Sequence, residues 1–145
     1  MTHRPAVPHD AAPLHVSGAA RYVDDIPTPT GTLHLAFGTS PVACGILNGM
    51  SLEKVRASDG VVAVLEACDL PFDADCSPSN HDEPLLAKDR VHYVGQPVFL
   101  VVATSHHLAR HAARQADFDI TEHPAILTIG QALAADSRFE DGPRV

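Results

Sequence analysis

The sequence predicts a mixed α/β (α+β) fold, with helices packed on one side of a sheet, and three observations carry the prediction. Residues 32–39 (TLHLAFGT) alternate Leu33, Leu35 and Phe37 with His34 and Ala36, the two-residue period of a strand that buries one face. Residues 61–65 and 97–103 are apolar runs of strand length, the first rich in β-branched valine. Between the second run and residue 118, Leu108, Ala109, Ala112, Ala113 and Ala116 recur at helical spacing as one apolar stripe.

Taken in order, residues 1–13 are proline-rich and polar and are expected to form an extended arm. In the following segment Gly18 permits a turn, and the pair Asp24-Asp25 ahead of Pro27 closes it. Pro27, Pro29 and Gly31 make a turn cluster before the first strand. A second strand is expected to begin around Gly45. Ser51 is the expected N-cap of a short helix over 52–57, which Asp59-Gly60 stops before the strand at 61–65. Residues 69–89 hold three prolines and six acidic residues, too interrupted for regular structure, and a loop of that length in a compact domain usually meets a partner or ligand.

Residues 91–94 and 97–103 read as two strands separated by Gly95-Gln96, with Gly95 at positive φ and Pro97 opening an edge strand. Thr104 or Ser105 caps a helix running to about Ala116, and 118–121 resumes as a strand, so strand, helix and strand are expected to form a right-handed βαβ unit. Thr128 and Gln131 fit a capping box that opens a short helix over 132–135. The expected organisation is an arm (1–13), a domain (14–136) and a polar, turn-like linker (137–145).

A formal charge of −8 argues against a nucleic-acid partner, since displacing counterions from phosphates needs a surplus of Lys and Arg. The longest apolar run, 97–103, falls far short of the roughly 18 to 20 residues that cross a bilayer, and the N-terminus lacks an apolar signal segment. A cytoplasmic protein without membrane contact is the resulting expectation. Cys44, Cys68 and Cys76 are odd in number and far apart, which fits neither a disulfide framework nor a metal-ligand set.

Ten histidines are the most unusual feature of the composition. His107 and His111 stand four residues apart on the polar face of the predicted helix, a spacing able to chelate a divalent metal. Arg110 and Arg114 share that face and oppose a bound cation by simple repulsion, so a solvated basic face is the expectation and a small-molecule or metal-binding module the alternative. Asp24-Asp25 and His81-Asp82-Glu83 offer carboxylates, but sequence neighbours seldom converge and in proline-flanked turns they bond backbone amides. No nucleophile elbow and no phosphate-cradling glycine loop occurs. Catalytic, cofactor-binding and metal-ligand residues are therefore all expected to be none.

Four stretches, in order, carry a family resemblance. They are Pro8-His9-Asp10 with His15-Val16-Ser17-Gly18 through Tyr22-Val23-Asp24-Asp25-Ile26-Pro27, and Gly31-Thr32-Leu33-His34 through Ser40. Then come His81-Asp82-Glu83-Pro84-Leu85-Leu86-Ala87 with Val91-His92-Tyr93-Val94-Gly95-Gln96-Pro97-Val98, and Pro124-Ala125-Ile126-Leu127-Thr128-Ile129 with Ala132-Leu133. Together they resemble the hammerhead domain that opens the molybdenum subunit of xanthine dehydrogenases and aldehyde oxidases, and within that family the bacterial two-subunit xanthine dehydrogenases most. One stretch departs: where the family usually reads Tyr-Glu-Glu-Leu-Pro-Ala, this chain has Ile120-Thr121-Glu122-His123-Pro124-Ala125.

The resemblance implies a hammerhead-like fold and membership of a molybdenum hydroxylase whose assembly oxidises xanthine or hypoxanthine to urate with NAD as acceptor. It implies molybdenum-pterin, iron–sulfur clusters and FAD in the complete assembly, with none held by residues 1–145. The implied partners are the cofactor-binding domains of the same subunit and the iron–sulfur/FAD subunit, with a homo-oligomer left open.

Overall fold

A computed structural model describes residues 7–72, 74–78 and 82–138. The chain divides into two compact units, Met1–Thr32 and Leu33–Val145. The linker expected at 137–145 lies outside the described residues from 139 onward, as do residues 1–6 of the expected arm.

In the first unit the arm gives way to helix α1 (Ala12–Ser17), which takes in the last two residues of the expected arm. Pro13 is tolerated in its first turn, where backbone N–H groups have no intrahelical partner. The helix ends at Gly18 in the left-handed region (φ 73°), the turn expected there. A 3-10 turn follows over Val23–Asp25, in which the Tyr22 amide donates to Asp25 Oδ2 at 2.9 Å.

Among the described residues the second unit holds six strands in two three-stranded sheets. β1 (His34–Thr39), β5 (Pro97–Ala103) and β3 (Val61–Glu66) form the first in the order β1-β5-β3. β4 (Arg90–Val91), β2 (Gly45–Ser51) and β6 (Asp117–Glu122) form the second in the order β4-β2-β6. Helix α2 (Glu53–Arg56) packs on β3, and α3 (His106–Ala113) on β1 and β5. Helix α4 (Ile129–Ala134) has no buried residue.

One core serves the unit. Phe99, Val101 and Ala103 of β5, Val55 of α2, and Ala109 and Ala112 of α3 are fully buried in one cluster with Leu47 and Val91 of the second sheet. Phe99 spans the two sheets, its ring centroid 6.1 Å from that of Phe118 on β6. It is paired across the first sheet with Gly38, and any side chain at residue 38 would overlap the Phe99 ring. Glycine is therefore required on that part of β1 by close approach.

The α/β class and the placement of helices on one side of a sheet hold, as do the strand at 97–103 and the Ser105 cap, whose side chain accepts from Leu108 N. Several expectations are corrected. Every named strand pair is antiparallel, so the parallel pairing that the expected βαβ unit requires is absent from the described residues. β5, α3 and β6 do follow one another, but β5 and β6 lie in different sheets, which removes the βαβ unit. β6 instead pairs antiparallel with β2.

Pro97 opens the central strand of its sheet, not an edge. A proline is accommodated there because it is the first residue of the strand, and its carbonyl accepts from Ala87 N at 2.8 Å. The strand expected over 91–94 stops at Val91, because the next amide, His92 N, donates to the Gln96 side chain at 2.6 Å instead of to a ladder partner. Gln96 is buried, and Gly95 takes the expected positive φ, 90°. Ser51 ends β2 opposite Asp117, leaving the buried Leu52 at the N-cap of α2 without a side-chain cap. α3 ends at Ala113, short of Ala116, and α4 begins at Ile129, immediately after its Thr128 cap.

The remaining correction concerns β1: its alternation is that of a strand, but Leu33, Leu35 and Phe37 are about half exposed, while Ala36 and Gly38 face the core.

Urea unfolding tests this packing. Gly38→Ala is expected to cost about 1–3 kcal/mol by overpacking against Phe99, and Phe99→Ala about 3–5 kcal/mol by opening a cavity between the sheets. Ser105→Ala should cost about 1 kcal/mol through loss of the α3 cap.

Candidate functional site

The helix bearing the histidine pair is built as a two-sided element. Ser105 fixes its start, and Ala109, Ala112 and Ala113 bury one side against β1 and β5. That geometry turns His106, His107, Arg110, His111 and Arg114 outward, where all five are exposed and line a shallow depression of 340 Å³. None of the five has a side-chain hydrogen bond or ion pair among the described residues. Asp59 and Ser58 border His107 and His111 in a neighbouring depression.

His107 and His111 thus share a helix face as their spacing requires, with the two arginines beside them. Among the described residues, no three His, Cys, Asp or Glu side chains are grouped so as to hold a metal ion.

The acidic residues are engaged in local structure. Asp25 closes its 3-10 turn, Asp69 Oδ2 accepts from Glu66 N at 2.8 Å, and Asp75 Oδ1 accepts from both the amide and the hydroxyl of Ser77. Asp24 stands in the same turn as Asp25 and is exposed. Asp82 and Glu83 are exposed, and His81 lies outside the described residues. Cys44 is half-buried and Cys68 and Cys76 are exposed, all three as free thiols.

One perturbed ionisation stands out among the described residues. Lys54 Nζ lies 2.7 Å from Asp117 Oδ2. This hydrogen bond, and then the carboxylate charge, hold the ammonium above the usual 10.5. Whatever the pair adds to folding is present below that pH and fades as the pH rises past the lysine's folded value. Both partners are exposed, so the contribution is a surface one.

Sequence reading missed a groove of 530 Å³ lined by Leu47, Met50, Cys68, Leu70, Phe72 and Ala87, among others. Its walls come from three segments remote in sequence, and no local pattern announces it. It presents apolar carbons and the exposed Cys68 thiol, with Glu66 and Lys88 also in its lining. Among the described residues no helix is long and apolar enough to cross a membrane.

Comparison with known proteins adds what the side chains do not. Xanthine dehydrogenase 1 of Arabidopsis thaliana is 40% identical over 129 residues, which are 89% of this chain and 10% of that protein. Xanthine dehydrogenase of Oryza sativa subsp. japonica is 38% identical over 138 residues, 95% of this chain and again 10% of the relative. The solved aldehyde oxidoreductase of Desulfovibrio desulfuricans superposes with a TM-score of 0.78 at 26% identity, covering 91% of this chain and 16% of that one. This chain therefore spans about a tenth of the length of the curated relatives it matches. Residues 17–124 match the family described as aldehyde oxidase and xanthine dehydrogenase, a/b hammerhead domain, and the chain belongs to that family.

Proposed function

We propose that this chain is a structural and interface domain of the large subunit of a molybdenum hydroxylase. The observation that carries the reading is the family match over residues 17–124, in a chain that spans a tenth of its relatives' length. In this reading the complete assembly oxidises xanthine or hypoxanthine to urate with NAD as acceptor, in the cytoplasm. Molybdenum-pterin, iron–sulfur clusters and FAD supply the redox chemistry there.

The described residues do not fit those groups. No set of three metal-ligating side chains is present among them, and the groove beside Cys68 offers neither a cluster of thiols nor a phosphate cradle. In this reading the catalytic, cofactor-binding and metal-ligand roles fall to other domains of the assembly. Residues 1–13 serve as an arm and 137–145 as a linker on either side of the domain. The partners are the cofactor-binding domains of the same subunit and the iron–sulfur/FAD subunit.

Pull-down against those domains and that subunit is expected to show association, and capture by none of them would overturn the reading. Calorimetry with zinc, nickel and xanthine separates it from a stand-alone binding module. The expected result is no heat beyond dilution; micromolar binding that disappears in His107→Ala would favour the module instead.

A further inference from the structure

The face of the β1-β5-β3 sheet turned away from α2 and α3 is apolar across all three strands. Register places Leu35 opposite Val102 and Phe37 opposite Leu100, and the same two β5 residues opposite Ala63 and Leu65 of β3. Residues paired across a sheet project to one side, as do residues two apart along a strand. Leu33, Leu35, Phe37, Ala63, Leu65, Leu100 and Val102 thus form one surface. On the opposite side Phe99, Val101 and Ala103 are completely buried. On the outer side Leu33, Leu35 and Phe37 remain 45%, 54% and 47% exposed.

An antiparallel sheet with one wet face carries polar residues on alternate positions, whereas near-continuous apolar strands mark a sheet covered on both faces. β5 (PVFLVVA) and most of β3 (VVAVLE) are of the second kind. Its central residues, Leu35, Ala63, Leu65, Leu100 and Val102, are all uncharged, which favours an apolar occupant over an ionic one.

We propose that this outer face is the surface on which the domain docks, and that its occupant is an apolar surface supplied by the remainder of the large subunit. The inference rests on the interface-domain reading above and specifies the surface it uses. Two facts select this occupant. The relatives carry about nine times as much chain beyond the matched portion, since the match is 10% of their length. The face also has a footprint of roughly 300 Å², from three strands about 4.8 Å apart and six residues rising about 3.4 Å each. A stable dimer needs about 800 Å² per partner, so a second copy docked here alone falls short. A domain in the same polypeptide binds a small patch at high effective concentration and needs no such area.

The test measures capture of the 145-residue chain by the cofactor-binding domains of the large subunit produced without it, with the chain raised to about millimolar concentration to match the effective concentration of a covalent linkage. Leu35→Ser/Phe37→Ser is expected to leave the thermal midpoint of the isolated chain within about 5 °C, because these side chains are already half in water. It should weaken capture by the cofactor-binding domains about tenfold or more. His107→Ser, on the covering helix and bordered by Ser58 and Asp59 rather than by the proposed face, should be captured as the parent is. Equal capture of parent and Leu35→Ser/Phe37→Ser overturns this surface and leaves the interface reading standing. Failure of the parent chain to be captured at all overturns both. A fall of the midpoint by 15 °C or more would assign the face to the domain's own core and overturn the proposal, and the milder Leu35→Thr, read for capture, guards against a variant that simply unfolds. A stable dimer of the isolated chain in sedimentation, abolished by Leu35→Ser/Phe37→Ser, would replace the proposed occupant by a second copy.

Discussion

The ring of Phe99 fills the space above Gly38, and most of the second unit is arranged around that contact. Because residue 38 has no side chain, β1 can lie beside β5 while the ring reaches past it towards Phe118 on the other sheet. The small residues Ala109 and Ala112 let α3 approach the same core closely. With aromatics at 5% of the composition and no tryptophan, the unit has few large side chains with which to join two sheets. One fully buried phenylalanine therefore carries a disproportionate share of the inter-sheet packing, and its neighbours are small so that it can.

A second constraint acts at the turn between β4 and β5. Gly95 N donates to the Ser40 carbonyl at 2.8 Å, and Ser40 N donates to the Gln96 carbonyl at 2.9 Å. The buried Gln96 side chain takes the His92 amide, and the Ser40 hydroxyl lies 2.9 Å from the Val42 carbonyl. Backbone groups that a sheet would otherwise pair are thereby satisfied inside the fold. The chain can leave β1 and enter β5 at this point without burying unpaired amides.

Local signals gave away most of the elements. The strand at 97–103, the Ser105 cap, the alanine stripe of α3 and the Thr128–Gln131 capping box are all short-range patterns, and all are present. The strand at 91–94 failed locally, to the Gln96 side chain, but most of what failed depended on partners distant in sequence. Alternation in β1 identifies a strand but not which side the core lies on; Gly38, required by Phe99 sixty-one residues later, decides that. Likewise the succession β5, α3, β6 cannot reveal that β6 pairs with β2, and Pro97 cannot reveal that its strand is central. At the candidate site the histidine pair was legible because helix periodicity is local. The groove beside Cys68 was not, because its walls meet only in the folded chain.

Helix α4 has both ends of its capping box made, with Gln131 N on Thr128 Oγ1 and the Gln131 side chain accepting from Leu127 N and Thr128 N. Ile129 and Leu133, one turn apart on the same side, are nevertheless 81% and 66% exposed. A helix of under two turns, capped at its start but not packed along its length, has little to lose by opening, since short helices without packing are marginal in water. Its amide hydrogens would then exchange early and those of β5 late, giving one small protein a steep internal gradient of protection.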